Sequence, residues 1–333
     1  MSQISIIIPA YHVEKYIEGC FKSIHYQTFT DFEVIAINDG STDGTLQKLR
    51  EWEQKDERIR VIDKVNEGVG VTRNLGLILA KSPYVIFIDP DDSLHPQMLE
   101  KLYDVITKYQ APLAICGYYD CFEDSSNQYE ILMPTAKEEL IEMTKQKDFI
   151  FNVNPAPWNK LISRKLLIQH DLAFPTNYRS EDLAFTLMML SHCNQVAVVN
   201  EPLYYYLANR TNNVSSTYDE RILHTITALK AIMAYYREQN QFENYKQELE
   251  MIAINQVLYE LQKVIYIKDK SLAMKLIEAF YQYLESEFCS WQANPYYREK
   301  CINVGMKNKL RANIYHSKQF LKIFYYLRNF LKS

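Results

Sequence analysis

Apolar residues recur along the chain with two different spacings. Four short, continuous apolar runs in roughly the first third are rich in β-branched residues, which is typical of strands buried on both faces of a sheet. Stretches with an apolar residue every three or four positions separate these runs and predict helices. The strands are predicted at 4–8, 33–37, 59–62 and 84–88, and the helices near 13–26, 43–56, 69–80 and 96–109. This alternation predicts an α/β domain with a mainly parallel sheet.

The rest of the chain is first mixed and then helical. Strands are predicted at 112–118, 128–133, 196–199 and 203–206, and helices near 136–146, 164–170 and 182–191. Beyond residue 215 the spacing predicts helices near 219–239, 243–266, 270–287 and 307–331. We therefore expect one α/β domain over 1–215, with halves of about 1–110 and about 110–215, followed by a helical region over 216–333.

Composition indicates a globular protein without a membrane-spanning helix. Hydrophobic residues make up 47% of the 333 positions and charged residues 23%, and no run of 18 uninterrupted apolar residues occurs. The first residues, MSQISIIIPAY, lack the basic segment of a signal peptide, so we expect a cytoplasmic protein. The six cysteines form no C-x-x-C pair, which argues against a disulfide framework and a zinc site.

Polar sequence follows each of the four predicted strands. The stretches are PAY, NDGSTDG, KVNEG and DPDD, in that order. Because ligands of open α/β sheets sit beyond the carboxyl ends of the strands, we expect these stretches to line one cleft.

The stretch NDGSTDG and the helix after KVNEG each allow two interpretations. Asp39 and Gly40 form an ordinary turn, or Asp39 accepts hydrogen bonds from a base or ribose that the glycine allows to approach closely. Arg73, on a helix that packs through apolar neighbours, is either a surface ion-pair partner or a cation facing a nucleotide.

The stretch DPDDSL places three carboxylates within four positions. A cap for the helix predicted near Pro96 would need only Asp92 or Ser93. Clustered carboxylates repel one another, and a hard divalent cation that collects their oxygens makes them tolerable. Asp89, Asp91 and Asp92 therefore favour a Mn²⁺ or Mg²⁺ site whose remaining ligands are phosphate oxygens.

A second acidic pair lies in the stretch YRSEDLAF. Glu181 and Asp182 fall in the first turn of a predicted helix, where acidic residues stabilise the helix dipole by about 0.3–1 kcal/mol. The alternative is that Asp182, held ionised by the dipole, removes a proton from an acceptor hydroxyl.

Taken together, these stretches resemble the family 2 glycosyltransferases, inverting enzymes with the GT-A fold. They are most similar to the bacterial members that build capsular polysaccharide, exopolysaccharide and other cell-surface glycans. The resemblance covers about the first 210 residues and rests on four stretches in the expected order. These are ISIIIPAYHVEKYIEGCFKSIHYQTFTDFEVIAINDGSTDGT, NEGVGVTRNLGLILAKSPYVIFIDPDD, PWNKLISRKLL and YRSEDLAF. The implied fold is a Rossmann-like, nucleotide-binding mixed sheet flanked by helices, with a C-terminal helical region.

The resemblance implies a role for each matching residue. A UDP-sugar would be bound by Pro9, Ala10, Tyr11, Asp39, Asn66, Arg73, Asp89 and Asp92, with Asp92 beside the sugar. Asp89 and Asp91 match the DXD motif that binds Mn²⁺ or Mg²⁺, and Asp182, with Glu181 beside it, matches the general base. Trp158 and Lys160 match a W-x-K segment on the acceptor side. His12, Pro90 and Asn159 depart from the usual pattern, which leaves the donor preference open.

The implied reaction transfers a sugar, with inversion, from UDP to a hydroxyl of a glycan acceptor, which we expect to be lipid-linked. A sugar-nucleotide pyrophosphorylase is a less suitable interpretation, because the glycine-rich loop expected after the first strand is absent. An inactive nucleotide-binding scaffold of a polysaccharide assembly remains the alternative, although the chain retains the full set of carboxylates.

The C-terminal segment carries a separate signal. Residues 300–333 contain eight Lys and Arg residues and no Asp or Glu. On a helical projection, one apolar stripe comprises Phe320, Ile323, Phe324, Leu327 and Leu331, and Arg311, Lys318 and Lys322 lie opposite. This amphipathic tail, 307–332, either packs on the domain or lies on the anionic inner leaflet of the plasma membrane. No feature predicts nucleic-acid binding, and assembly into a homo-oligomer is left open.

Overall fold

A computed structural model describes residues 2–123, 125–131, 139–208, 219–302 and 317–330. Its contacts divide the chain into two compact units. The first comprises Met1–Asn177 and Glu181–Asn213, and the second Tyr178–Ser180 and Val214–Ser333. The boundary predicted at residue 215 lies outside the described residues and stays a prediction.

The first unit is built on one mixed sheet, which has ten strands within the described residues. The strands are β1 Ile4–Ala10, β2 Phe32–Asp39, β3 Ile59–Lys64, β4 Tyr84–Phe87, β5 Ser93–Leu94, β6 Leu113–Phe122, β7 Ser125–Ile131, β8 Leu140–Glu142, β9 Lys160–Ser163 and β10 Gln195–Ala208. Their order is β3-β2-β1-β4-β9-β6-β10-β5, with β7 beside β6 and β8 beside β10. The helices of this unit are α1 Ile17–His25, α2 Thr45–Lys55, α3 Val69–Leu79, α4 Met98–Tyr109, α5 Arg164–Gln169 and α6 Glu181–Leu190.

The first four strands pair in parallel, as their apolar runs predict. All seven residues of β1 are buried, since it lies between β2 and β4 and is covered on both faces. Each antiparallel pair involves β5, β7, β8 or β9. The result is the mixed α/β sheet, flanked by helices, that the resemblance implied.

Three local predictions were wrong. Residues 140–142, inside the helix predicted at 136–146, form β8 and pair with β10. The two strands predicted at 196–199 and 203–206 are one strand, β10, which continues past Pro202 with shifts in its pairing because proline cannot donate to the ladder. Helix α4 begins at Met98 without a side-chain cap, so neither Asp92 nor Ser93 caps it.

The second unit is helical. Its helices are α7 His224–Glu238, α8 Phe242–Val264, α9 Lys270–Glu287, α10 Pro295–Ile302 and α11 Lys318–Phe330. Helix α8 packs against α7, α9 and α10, and α11 packs against α9. Of the helix predicted at 307–331, residues 307–316 and 331 lie outside the described residues.

Within the described part of the chain, no helix combines the length and the apolar character needed to cross a membrane.

Candidate active site

Arg73, on α3, is the centre of the acidic cluster that the sequence predicted in two separate pieces. Its Nη2 donates to Oδ1 of Asp89 at 3.0 Å, and its Nη1 donates to Oδ1 of Asp182 at 2.5 Å and to Oε1 of Glu181 at 3.4 Å. The guanidinium also lies 5.2 Å from the ring centre of Phe174. One buried cation therefore joins the turn after β4 to the first turn of α6.

The electrostatics of this cluster hold Arg73 charged. Burial alone would lower the pKa of Arg73, but Asp182, Asp89 and Glu181 together raise it above its usual range. The side chain of Arg73 is only 4% exposed, so the charge is shielded from water. A buried guanidinium with three carboxylates gives a fixed geometry that a surface ion pair would not.

Asp182 is the carboxylate whose pKa the cluster shifts toward neutrality. Burial raises the pKa of Asp182 to about 7 against the opposing effect of Arg73, and the negative charges of Glu181 and Asp89 add to the rise. Because one cation is shared by three carboxylates, the cluster keeps an excess of negative charge. The side chain is still 32% exposed, so a substrate hydroxyl has access to it.

Asp92 faces the opposite direction, toward β10. Its Oδ2 accepts a hydrogen bond from the hydroxyl of Tyr204 at 2.6 Å, and its Oδ1 accepts one from the backbone N–H of Leu207 at 2.7 Å. Burial, reinforced by the charges of Asp91 and Asp89, raises the pKa of Asp92 well above its usual range. Asp92 is 3% exposed, so its carboxyl group contacts β10 rather than solvent in this structure.

The residues of the DXD stretch fit a divalent cation that takes part of its coordination from a substrate. Asp89 and Asp91 are both half-buried at the end of β4, and Oδ1 of Asp89 is engaged by Arg73. The two Asp92 oxygens are already occupied by Tyr204 and Leu207. No group of three or more His, Cys, Asp or Glu suited to a metal occurs among the described residues. Asp89 and Asp91 would therefore need diphosphate oxygens to complete the shell, which is how Mg²⁺ is commonly bound.

Asp39 holds the loop that follows β3. Its Oδ1 accepts from Nζ of Lys64 at 2.6 Å and from the N–H of Glu67 at 3.0 Å, and its Oδ2 accepts from the N–H of Gly68 at 2.9 Å. Burial works against ionisation, but Lys64 and the backbone donors keep the pKa of Asp39 below its usual value. In this structure Asp39 shapes the loop rather than presenting a vacant acceptor, and its predicted contact with uracil stays a prediction.

His12 connects the loop after β1 to the loop after β2. Its Nε2 accepts from the N–H of Thr42 at 3.1 Å, and its ring stacks on Tyr11 with centroids 4.0 Å apart. Tyr11 is 46% exposed, whereas Pro9 and Ala10 are buried in β1. Asn66 is exposed, and it packs closely against Gly40: a Cβ at Gly40 would lie 2.7 Å from the Asn66 nitrogen. Among these predicted donor residues, Tyr11 and Asn66 offer accessible side chains.

Trp158 and Lys160 are buried. Trp158 is 3% exposed and stacks on Tyr204, and Lys160 is fully buried with its ammonium bonded to three oxygens. Burial lowers the pKa of Lys160 to about 7, against the smaller opposing effects of Cys116 and Asp182. The predicted role of both residues at the acceptor remains a prediction, and any contact with an acceptor would be indirect in this structure.

Two kinds of comparison identify the family. The model described as "Glycosyl transferase family 2" matches residues 5–170. The chain belongs to glycosyl transferase family 2. It is also 33% identical over 214 residues to the uncharacterized glycosyltransferase EpsJ of Bacillus subtilis, an alignment covering 62% of this chain and 61% of EpsJ. The poly(ribitol-phosphate) beta-N-acetylglucosaminyltransferase TarS of Staphylococcus aureus is 29% identical over 224 residues, covering 66% of this chain and 38% of TarS. The chain thus spans less than two thirds of the length of either of these two relatives.

Solved structures support the family's GT-A fold. Residues 1–349 of S. aureus TarS, in complex with UDP-GlcNAc, align with a TM-score of 0.59 and 21% identity, covering 90% of this chain and 92% of that chain. The mannosyltransferase PcManGT of Pyrobaculum calidifontis, in complex with GDP-Man and Mn²⁺, aligns with a TM-score of 0.53 and 12% identity, covering 99% of this chain and 88% of that chain. As a member of this family, the chain is a glycosyltransferase.

Three residues of the site were not assigned to it from the sequence. Lys64 engages Asp39, Phe174 faces Arg73, and Tyr204 contacts Asp92. The run Tyr204–Tyr206 predicts a strand with alternate rings in the core, and Tyr204 is indeed fully buried, but no sequence signal connects its hydroxyl to Asp92.

Proposed function

We propose that this glycosyltransferase moves a sugar, with inversion, from a UDP-sugar to a hydroxyl of a glycan acceptor in the synthesis of a cell-surface polymer. Asp182 removes the proton from the acceptor hydroxyl as that oxygen attacks the anomeric carbon from the face opposite UDP. The bond between the anomeric carbon and the UDP oxygen breaks, and UDP departs with the bonding electrons.

The observation that supports this proposal is the contact network of Arg73. It brings the carboxylate proposed as the base, Asp182, to the same cation as Asp89 of the DXD stretch. The proposed base and the carboxylate proposed to bind the diphosphate therefore lie on different nitrogens of one guanidinium, close enough to act on the same donor. A pKa near 7 for Asp182 suits a base that must lose and accept a proton at neutral pH.

Asp91 and Asp89 would hold a divalent cation against the diphosphate. When bound, Mn²⁺ or Mg²⁺ would neutralise charge that develops on the departing UDP. Arg73 orients Asp89, and the exposed ring of Tyr11 offers a face for the uracil. Glu181 shares Arg73 with Asp182 and adds negative charge that raises the basicity of Asp182.

The relatives suggest which donor and acceptor to test first. TarS is named for transfer of N-acetylglucosamine to poly(ribitol phosphate), and its structure contains UDP-GlcNAc. A further relative is named a poly(ribitol-phosphate) beta-glucosyltransferase. We therefore propose UDP-GlcNAc and UDP-glucose as first candidates, with a polyol-phosphate or other lipid-linked surface glycan as the acceptor class.

The test compares the wild-type protein with the Asp182→Asn variant. Thermal shift with each UDP-sugar and Mn²⁺ identifies the donor, because a ligand at about 100 times its Kd stabilises the folded state by ~2.7 kcal/mol. UDP release and ¹H NMR of the product anomer then report transfer and inversion. Asp182→Asn should lower transfer by about 10²–10⁴-fold while UDP binding persists.

Two results would contradict this proposal. Wild-type turnover in Asp182→Asn would remove Asp182 from the role of base. Donor binding by the wild-type protein without any metal-dependent release of UDP would instead support the inactive scaffold.

We also propose that α11, within the basic tail 307–332, contacts the anionic inner leaflet of the plasma membrane. Leu321 and Tyr325 pack inward, whereas Phe320, Ile323 and Leu327 are 63%, 53% and 57% exposed. These three side chains lie within residues 300–333, which contain eight basic and no acidic residues. Lys318 and Lys322 are paired with Glu278, and the other six basic residues provide charge that complements anionic lipid.

Flotation with phosphatidylglycerol vesicles tests this surface. The full chain should float, and the triple substitution Phe320→Ser, Ile323→Ser and Leu327→Ser should reduce floating protein several-fold. The matched control replaces Ile78 and Ile168 with serine; these residues are 76% and 61% exposed and lie in the first unit. Equal partitioning of all three proteins, or equal binding to neutral phosphatidylcholine vesicles, would contradict the lipid contact.

A further inference from the structure

Tyr204 connects β10 to the turn that carries the aspartates. Its hydroxyl donates to Oδ2 of Asp92 at 2.6 Å and accepts the backbone N–H of Asp89 at 3.3 Å. The side chain is fully buried, so water does not compete for either bond. One phenol oxygen therefore contacts both ends of the turn from residue 89 to residue 92.

The backbone of β10 holds the same turn. The N–H of Leu207 donates to Oδ1 of Asp92, and Tyr204 lies opposite Leu94 in the antiparallel pairing of β10 with β5. Within the turn itself, the N–H of Asp92 donates to the carbonyl of Asp89 at 3.1 Å. The conformation of the turn thus depends on a strand that lies more than a hundred residues later in the chain.

The ring of Tyr204 is fixed by Trp158. The two rings stack with centroids 4.4 Å apart and an angle of 5° between their planes, and Tyr206 stacks on Trp158 at 5.4 Å. Tyr118 contacts the same indole edge-on at 4.9 Å. Trp158 is therefore packed between neighbouring rings, and it restricts the directions that the Tyr204 hydroxyl can take.

Lys160 fixes the segment that carries Trp158. Its Nζ donates to the carbonyl oxygens of Asn154 and Ala156 and to Oδ1 of Asn159 at 2.6–2.7 Å. These bonds connect the chain on both sides of Trp158 to Lys160 in β9 and so fix the backbone that carries the indole.

We infer that Trp158, Tyr204 and Asp92 form a positioning relay that sets Asp89 and Asp91 in the geometry needed for the donor diphosphate. The inference rests on the proposed function in taking Asp89 and Asp91 as the diphosphate end of the site. It gives Asp92 and Trp158 positioning roles in place of direct contacts with the sugar and the acceptor. Trp158 acts on the donor side of the site, through the hydroxyl of Tyr204.

The test removes the Tyr204 hydroxyl and keeps the ring. Tyr204→Phe preserves the stacking on Trp158 but leaves the Asp89 N–H without its acceptor and Oδ2 of Asp92 without its donor. Tyr205→Phe is the matched control, because Tyr205 is the next residue of β10 and its ring stacks on Tyr119 instead. Both variants lose one oxygen from the same strand.

Two readouts separate positioning from general stability. Hydrogen exchange of the ligand-free protein over residues 88–94 should be about three- to tenfold faster in Tyr204→Phe, corresponding to one lost hydrogen bond, and unchanged in Tyr205→Phe. Calorimetric titration with UDP should show affinity in Mn²⁺ reduced by a similar factor, while the affinity for UDP without Mn²⁺ is retained.

A double-mutant cycle tests whether Tyr204 and Asp92 act through the same hydrogen bond. Asp92→Asn should give the same two effects, and the double variant should be no worse than the more affected single variant, since both changes break one connection. If Tyr204→Phe fails to fold, Asp92→Asn supplies both readouts by itself.

The relay is overturned if exchange over 88–94 is the same in Tyr204→Phe and Tyr205→Phe, or if the effects of the two substitutions add. A wild-type protein that binds no UDP with Mn²⁺ would refute the proposed function instead. The exchange measurement needs no donor, so it decides the relay in either case.

Discussion

Replacing Arg73 with methionine removes the one cation that three carboxylates share. Methionine keeps much of the length and apolar stem of arginine, so the change is mainly electrostatic. Breaking a buried ion pair by deleting one partner costs about 3–5 kcal/mol. Asp89, Glu181 and Asp182 are 27%, 17% and 32% exposed, and water therefore screens part of their repulsion. We expect the lower end of this range, about 3 kcal/mol.

Thermal unfolding followed by tryptophan fluorescence measures this cost. For a unit of about 200 residues, 3 kcal/mol corresponds to a fall in Tm of roughly 6–12 °C. Arg50→Met is the matched control, because Arg50 pairs with Glu53 at 2.7 Å on the surface and is 45% exposed. Such a pair is worth at most about 1 kcal/mol, so the control should lose far less. The decrease in Tm for Arg73→Lys should lie between those of Arg73→Met and Arg50→Met, since a lysine retains the charge but lacks the planar guanidinium that bridges separate carboxylates.

The stability cost of Arg73→Met should depend on pH through the titration of Asp182. Burial and neighbouring negative charge already raise the pKa of Asp182 to about 7, and loss of Arg73 removes the effect that opposes this rise. A carboxyl group whose pKa is higher in the folded state binds more protons there, so stability falls as pH rises from about 4 toward that pKa. Above about pH 7 the wild-type carboxyl is already ionised, whereas that of Arg73→Met still releases protons, so the difference in Tm should be larger at pH 8 than at pH 5. A difference no larger than that of Arg50→Met, or one that does not change with pH, would refute the shared-cation interpretation.

Two further predictions concern the loops and the second unit. Gly40→Ala should lower the free energy of unfolding in urea by at least about 1 kcal/mol, because φ of Gly40 is +70° and the new Cβ would meet the Asn66 backbone. The control is Gly19→Ala on α1, which should be neutral or stabilising because the new Cβ would have nothing within 4 Å. Glu278→Gln should speed hydrogen exchange in α11, because hydrogen bonds from Lys318 and Lys322 lower the pKa of Glu278 to about 2. The difference in exchange between wild type and Glu278→Gln should be full above pH 4.5 and vanish as pH falls toward 2. Equal exchange of the two proteins at pH 7 would contradict this prediction.

Most of the sheet in the half predicted to bind nucleotide, about residues 1–110, could be predicted from local pattern. Strands buried on both faces, such as β1 and β4, need continuous apolar runs, and helices between them need one apolar stripe. The errors arose where pairing with a distant strand overrides local preference. Residues 140–142 are a strand only because β10 offers them an edge, and β10 continues past Pro202 because its neighbours pair on both sides of that residue.

For the site, the sequence indicated the acidic residues but not what holds them. Asp89, Asp91 and Asp182 are recognisable because acidic residues clustered at strand and helix ends call for a functional or structural explanation. The residues that hold the acidic side chains are distant in sequence: Arg73 and Asp182 are 109 positions apart, and Asp92 and Tyr204 are 112 positions apart. A buried arginine and a buried tyrosine look like ordinary residues in one sequence, because their hydrogen bonds depend on the tertiary fold.

These contacts also change how the two predicted halves of the first unit relate to each other. Asp89 is held through its side chain by Arg73, which is itself fixed by Asp182, and through its backbone by Tyr204. Asp182 and Tyr204 both belong to the half predicted for the acceptor. The diphosphate end of the proposed site therefore owes its geometry to residues beyond position 180, and the donor half is incomplete without them. A change in the acceptor half, such as Tyr204→Phe, is for this reason expected to affect donor binding first.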